Sequence, residues 1–403
     1  MIDRILIVGA GPVGMVCALA LNRAGIKVTV LEQEPGPVED QRAASLHPPT
    51  IEMLDALGIA QKIIPLGLIS MQYQFRDRVN GTVVAQFDLG LLKNEFQFPY
   101  VLQYEQYKLT GDIARQYGDE SDFDVRYATR VTGIVQQGDH VLVEAHGPDG
   151  PERHAVRYVV GADGGRSVVR KAADIAFEGF TYPESFIKIA TPHDFQKNEP
   201  TLVFRNYFSD PDEWCNLFKV RGKREPGLWR AIFPTAPNES EEEALSPASI
   251  QRRLQKFFPK DGVFEIEYVN VYNVSQRVAA TFRKGRVLLV GDAAHVNNPI
   301  GGMGMNGGIH DALNLCEKVV RVVRGQADEQ LLDQYNRQRR KVALDYTQAQ
   351  TIRNKKLLEE RDPRIRQEHL DELRRTAENR ESAKAYMRRA ALLDSLQAAA
   401  AIQ

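Results

Sequence analysis

The sequence predicts an α/β fold: a parallel sheet with crossover helices interleaved with a mostly antiparallel sheet, followed by a helical C-terminal tail. Three observations predict it. Residues 5–8 and 28–31 are short apolar runs joined by a glycine turn and a helical stretch, which is a β-α-β unit. Two more apolar runs, 158–160 and 286–290, also end in glycine much further along the chain. Residues 180–275 are instead rich in aromatic and β-branched residues broken by Pro and Gly, the composition of an antiparallel sheet.

The elements follow in order. Val13, Val16, Cys17, Leu19 and Ala20 recur at helical spacing until Gly25 ends the run. Residues 50–66 read as a helix with Ile51, Leu54, Leu57 and Ile59 on one face. Residues 72–88 alternate around Asn80-Gly81, a hairpin signal. A helix is expected over about 104–117, strands over 123–127 and 130–145, a helix near 247–258, and another from about Asn306. From about 328 the chain is helical and highly charged, and the charge run 352–384 reads as a solvated helical face. Its apolar residues Ile352, Leu357, Leu358, Ile365 and Leu370 suit either a dimer contact or packing on the chain itself, so monomer and homodimer both stay open. The expected units are 1–70, 101–180 and 276–345 for the parallel-type domain, 71–100 and 181–275 for the second sheet, and 346–403 for the tail.

Composition narrows the function classes. The 403 residues are 43% hydrophobic and 26% charged, those of a globular chain long enough for a substantial core. Fifty-two basic against 53 acidic residues leave a net charge of -1, without the basic excess of a nucleic-acid binder. No run of about 18 apolar residues exists to span a membrane, and residues 5–8 are too few for a signal sequence. Cys17, Cys215 and Cys316 are odd in number and widely separated, so no disulfide framework and no metal spacing is expected, and a cytoplasmic location is.

Gly9-Ala10-Gly11-Pro12-Val13-Gly14 fits the dinucleotide fingerprint: glycines for a tight turn, for close approach of the backbone to a pyrophosphate and for helix–strand packing. The fingerprint alone is weak. Here it follows a strand, opens a helix, and is followed by Glu32 at the end of the second strand, placed to accept hydrogen bonds from a ribose. It does not distinguish NAD from FAD. Further motifs do: Gly161-Ala162-Asp163-Gly164-Gly165, Gly291-Asp292-Ala293-Ala294-His295, and Pro299-Ile300-Gly301-Gly302-Met303-Gly304-Met305-Asn306. Seven of the 30 glycines lie between 285 and 308, a density that suits backbone lying against a large planar ligand.

Together these three motifs, in order and spacing over about 1–345, resemble the class A flavoprotein aromatic hydroxylases, of which para-hydroxybenzoate hydroxylase is the best-known type. The resemblance implies FAD as cofactor, NADH or NADPH as transient reductant, O2 as co-substrate and a small aromatic ring as substrate. It assigns Gly9, Gly11, Pro12, Val13, Gly14 and Glu32 to the ADP half of FAD. Arg42 would contact the FAD phosphates and help handle the nicotinamide cofactor, Gln103 would lie near the ribityl chain, and Val131 would touch adenine by its backbone. Asp163 would serve both cofactors or only cap its turn, and Asp292 would bind a ribityl hydroxyl. Pro299 would lie at the flavin edge where oxygen reacts, with backbone N–H groups of Gly304, Met305 and Asn306 stabilising negative charge on the ring. His295 would serve the pyrophosphate loop. The implied chemistry is hydride transfer to FAD, formation of a flavin C4a-hydroperoxide, and transfer of oxygen to a phenolic or hydroxypyridine-type ring. His47 and Tyr207 are the candidates for proton handling, and Tyr73, Arg205, Tyr207 and Trp229 for substrate contact. A flavin halogenase would carry two tryptophans and an Ile-Pro where this chain has Trp229-Arg230-Ala231-Ile232-Phe233-Pro234, and so fits poorly. The sequence also admits a reductase or oxidase of the same fold that does not hydroxylate a ring, and a FAD-fold binding protein without turnover.

Overall fold

The structure is a computed structural model, and it describes residues 4–39, 42–118, 122–223 and 225–403. Its first layer is a six-stranded sheet in the order Arg283–Lys284, Val287–Leu289, Tyr158–Gly161, Arg4–Val8, Lys27–Leu31, Phe123–Arg126. All neighbours are parallel except the edge pair Arg283–Lys284. The four inner strands are almost wholly buried, which is why they read as apolar runs without alternation. Helices Pro12–Arg23 and Met303–Val323 pack together on this sheet. Cys17 and Cys316, one on each helix, bring their Sγ atoms within 3.6 Å as free thiols. Their 299-residue separation in sequence hides that contact.

The second layer is an eight-stranded sheet ordered His295–Val296, Tyr268–Ala279, Phe177–Thr191, Leu228–Pro234, Cys215–Val220, Arg205–Ser209, Gln72–Asp77, Thr82–Asp88. Only Arg205–Ser209 and Gln72–Asp77 run parallel. The hairpin at Asn80-Gly81 is present, with Gly81 at φ 67°. Register assigns the two faces. Lys188, Ile232, Arg230, Phe218, Arg205 and Tyr207 share one of them. Ile187, Ile189, Leu217, Phe208, Trp229 and Phe233 share the other and form a core with Leu254 and Phe257 of the helix Pro247–Phe257.

Several boundaries differ from the sequence reading. Residues 130–145 are not one strand but most of a hairpin, Arg130–Gln137 and His140–Gly147, extended by Gly150–Val156 into a three-stranded meander that turns at Gly138 with φ 58°. The helical stretch 50–66 breaks at Gly58, φ 75°, into Pro48–Ala56 and Ala60–Ile63. The helix expected from Asn306 starts at Met303, because Gly302 in the left-handed region ends the preceding loop without any side-chain cap to mark it.

The tail is the helices Ala349–Glu359, Pro363–Glu378, Arg380–Ala390 and Leu393–Ala400. Leu358, Leu370, Leu373, Ala383 and Met387 are buried in one cluster with Tyr73, Phe87 and Tyr207 of the second sheet. The chain then returns to the first layer, where Gln334 and Gln338 hold the Ile402 carbonyl at 3.0 and 2.8 Å. No helix among the described residues is long and apolar enough to cross a membrane.

Candidate active site

A cleft of about 1830 Å³ runs between the two layers. That exceeds the roughly 300–1,000 Å³ of an ordinary ligand pocket and leaves room for an extended dinucleotide. At one end lies the glycine turn. A Cβ on Gly14 would fall 2.0 Å from the Gly9 carbonyl oxygen, and Gly9 itself has φ 105° against the Ala162 backbone. Gly11, at the N-terminus of Pro12–Arg23, has nothing within 4 Å of its Cβ position, so the helix start opens into the cleft. Val13 packs behind the turn against Gly291 and Gly308. Glu32 accepts from the Ala10 N–H at 2.7 Å and the Glu34 N–H at 3.0 Å, and so clamps the turn while it lines the cleft.

Further along the same cleft lie Arg42, Gln103, Val131, Asp163, Asp292 and Pro299. Gln103 is fully buried. Its Oε1 accepts from Ser45 Oγ at 2.5 Å, but its Nε2 has no partner among the described residues. Asp292 projects from the one-turn helix Gly291–Ala293 at the end of the strand Val287–Leu289. Asp163 spends much of its bonding capacity locally, accepting from Ser167 Oγ at 2.5 Å and from the Val168 and Val169 N–H groups. Burial nevertheless pushes its carboxyl up from the usual range.

At the far end Gly304 and Met305 line the cleft from the first turn of Met303–Val323, where helical N–H groups have no intrahelical acceptor. Asn306 does something else: its side chain accepts from the His47 N–H at 2.9 Å and donates to the Ser45 and Gly302 carbonyls. It ties two loops to the helix. The loop 297–302 is also held by Asn354, which donates to the Ile300 carbonyl at 3.1 Å, and by Asn298, which donates to the Thr351 carbonyl at 2.9 Å.

Beyond that loop is a small cavity of about 30 Å³ lined by His47, Tyr73, Arg205, Tyr207, Ile300 and Gly301, with Tyr386 and Met387 of the tail. The structure therefore brings together four residues that the sequence singled out from separate segments. Trp229 is not among them. Strand alternation puts it on the opposite sheet face, where its Nε1 donates to Asp194 within the helix-backed core. His47 is 2% exposed, its ring lies beside the Gly301 backbone, and neither ring nitrogen makes a hydrogen bond of good geometry among the described residues. Burial, then the Arg205 guanidinium, then His310, hold its pKa well below the usual histidine value, so the ring is neutral.

Residues the sequence reading passed over complete the site. Asp311 is fully buried and accepts from Arg339 Nε at 2.6 Å and from the Gly291 N–H at 3.2 Å, and it pairs with His295 Nε2 at 2.8 Å. Burial would raise its carboxyl, but Arg339 and His295 outweigh it and hold the carboxyl below the usual range. His295 thus supports the turn that carries Asp292. A signal was available, since Asp311 interrupts the apolar stripe of Ile309, Ala312 and Leu315.

Three features fit the cleft to FAD: the open space at Gly11, the buried Gln103 amide nitrogen that still needs an acceptor, and the N–H groups at the start of Met303–Val323. Comparison with known proteins agrees. Residues 3–350 match the FAD binding domain family. The chain is 34% identical over 369 residues to a para-nitrophenol 4-monooxygenase from Pseudomonas sp. strain WBC-3, covering 90% of this chain and 89% of that one. It is 32% identical to a 6-hydroxy-3-succinoylpyridine 3-monooxygenase from Pseudomonas putida, covering 84% of each. The crystal structure of p-nitrophenol 4-monooxygenase from Pseudomonas putida DLL-E4 superposes with a TM-score of 0.90 at 31% identity, over 98% of each chain. The chain belongs to the FAD binding domain family, among its FAD-dependent aromatic hydroxylases.

Proposed function

We propose that the protein hydroxylates a small phenolic or hydroxylated N-heteroaromatic ring, using FAD, NAD(P)H and O2. The observation that carries this reading is the cavity of His47, Tyr73, Arg205 and Tyr207, which abuts the loop that ends in the first turn of Met303–Val323. Bound FAD would supply hydride acceptance and activation of O2. Gly9, Gly11, Gly14 and Glu32 would hold its ADP half, Gln103 and Asp292 its ribityl chain, and the N–H groups of Gly304 and Met305 the polar edge of its ring. Arg42, on the open side of the cleft, suits the phosphates of a visiting nicotinamide cofactor.

The chain's own residues define the rest. Tyr73 and Tyr207 meet edge to face at 6.4 Å and give the cavity an aromatic wall against which a flat ring would lie. The neutral imidazole of His47 can accept a hydrogen bond from a ring hydroxyl, which raises electron density on the ring. The tail helix Arg380–Ala390 lines the cavity through Tyr386 and Met387 and would shield a bound ring from water. The division into an FAD-binding domain, an interleaved substrate domain and a tail belongs to the same reading, and so does a cytoplasmic location, which suits three buried free thiols. The test is a panel of phenols and hydroxypyridines offered to the FAD-loaded enzyme with NADH and NADPH. The matching ring should accelerate NAD(P)H oxidation and emerge with one added oxygen atom. If no ring in the panel changes the rate or yields an oxygenated product, the reading fails.

A further inference from the structure

The loop 297–302 is the wall that the cofactor cleft shares with the ring cavity. Asn297, Pro299 and Gly302 line the cleft, and Ile300 and Gly301 line the cavity. The cavity is about 30 Å³, room for about one or two waters. An entering ring therefore presses on its walls, and where this wall stands decides how the ring meets the cofactor. Gly301 and Gly302 both have positive φ, 106° and 71°, and leave the loop's own backbone little stiffness. Side chains from outside supply it.

The chain enters the loop from a short ladder, in which Val296 pairs with Arg277 and His295 with Val278. One step on, the ladder would pair Asn297 with Gln276, but it stops. The Gln276 side chain, 2% exposed, takes over: its Oε1 accepts from the Asn298 N–H. Its Nε2 donates to Gln348 Oε1 at 2.8 Å and to Thr351 Oγ1 at 3.2 Å. Gln348 Nε2 in turn donates to the Val296 carbonyl at 2.8 Å. The two carboxamides thus grip the chain on both sides of Asn297, and only one orientation of each amide completes this series of bonds. Gln348 ends a π-helical turn, Ala343–Gln348, that runs into Ala349–Glu359, and such wide turns occur mostly at functional sites. The Asn298 side chain extends the grip: it accepts from the Ile300 N–H at 3.1 Å and donates to the Thr351 carbonyl at 2.9 Å. None of these side chains carries a charge, so direction rather than attraction at a distance fixes the loop.

We propose that Gln276 is a positioning residue of the reaction: through the Asn298 N–H it sets where the 297–302 wall stands between cofactor and ring, and so how fully oxygen transfer is coupled to NAD(P)H oxidation. This rests on the hydroxylase reading and adds to it a residue that touches neither substrate nor cofactor. Without the Gln276 carboxamide the Asn298 N–H is a buried donor lacking an acceptor, and the loop must shift to find one. Oxygen consumed with the ring out of place leaves as hydrogen peroxide: O2, NAD(P)H and a proton give H2O2 and NAD(P)+, one for one.

The experiment compares Gln276→Leu, Gln276→Glu and Gln348→Met with the parent, each loaded with FAD. 4-Nitrophenol and 3-hydroxypyridine are titrated in and followed by the change they cause in the flavin absorbance, which needs no turnover. Peroxide released per NAD(P)H oxidised is then measured with the saturating ring. Gln276→Leu should weaken ring binding by about tenfold and change the shape of the difference spectrum, the scale for misplacing a wall by a fraction of an ångström. Its peroxide fraction should rise by roughly threefold, while its affinity for FAD stays at the parent value because the glycine turn and Glu32 are untouched. Gln276→Glu keeps an acceptor for the Asn298 N–H and should restore both readouts towards the parent. Gln348→Met leaves that bond in place and should show a smaller effect of the same kind, which carries the test if Gln276→Leu does not fold. Parental difference spectra and peroxide yield in Gln276→Leu overturn the proposal. So does a loss of FAD that grows in step with the peroxide, or a Gln276→Glu variant no better than Gln276→Leu. No spectral response of the parent to either ring also overturns it, since the wall would then border no ring site. If the parent binds rings but oxygenates none, the hydroxylase reading fails, and the difference spectra still decide whether Gln276 sets the wall.

Discussion

His310 enters the fold without its proton. It is 1% exposed and its Nε2 lies 2.9 Å from Thr50 Oγ1, while burial and then the Arg339 charge push its pKa down to about 3. Between that value and about 6.5 the unfolded chain binds a proton that the folded chain does not. Stability is therefore complete above pH 6.5 and is lost as the pH falls, by up to about 1.4 kcal/mol per pH unit for each such histidine. His47 adds to the slope in the same direction. Urea unfolding of the FAD-loaded protein from pH 7.5 to 4.5 should show this decline. His310→Gln, which can keep the bond to Thr50, should flatten it by about one proton, and parallel slopes in the two proteins would show that His310 is charged in the fold. Residues of this kind were barely legible in the sequence. Gly9 and Gly14 could be read because their demand is steric and local. His47 could be read only through its neighbours. Nothing near His310 announces Thr50 or Arg339, since a buried polar residue takes its meaning from partners distant in the chain.

Helices and strands were legible wherever burial imposed a period. The four inner parallel strands and the helix Pro12–Arg23 follow directly from their apolar patterns. What the period does not reveal is how elements are cross-tied. The helices Met303–Val323 and Leu331–Val342 and the turn after Val287–Leu289 are joined by one fully buried network, Asp311 with Arg339, His295 and the Gly291 N–H. Removing Arg339 would leave the Asp311 carboxylate buried with only His295 and the Gly291 N–H against it. The expected loss for Arg339→Met is roughly 3–5 kcal/mol in urea unfolding, the range for stranding one partner of a buried pair. Arg339→Met combined with Asp311→Asn should recover part of it, because no uncompensated charge then remains. FAD retention should weaken alongside stability, since the same network supports the turn that carries Asp292. A single variant as stable as the parent would mean that the pair contributes nothing at this junction.

At the scale of the whole molecule the tail changes meaning. From sequence it is a charged helical segment with a solvated face. In the structure several of those charges are latches: Arg366 pairs with Asp77, Lys384 with Glu95 at 2.8 Å, Arg388 with the same Glu95, and Lys355 with Glu184 at 2.6 Å. They hold an apolar stripe over the second sheet, with Tyr386 stacked 4.5 Å from Phe87. Amphipathic spacing showed that such a stripe exists but not what it covers, because that depends on a sheet edge some 300 residues earlier in the chain. The consequence for function is steric. Met387 is fully buried and lines the ring cavity, so its side chain limits how large a ring can enter. Met387→Ala should cost about 2–5 kcal/mol of stability through the space left behind. It should also raise kcat/KM for a two-ring phenol such as 2-naphthol relative to a one-ring phenol by roughly tenfold, the scale set by a few methylene-sized groups in an apolar pocket. Stability and the ratio are measured on the same FAD-loaded preparation, because a folding defect lowers both substrates together whereas an enlarged cavity moves them apart. A ratio that stays at the parent value would show that the tail closes the cavity without gauging the ring inside it.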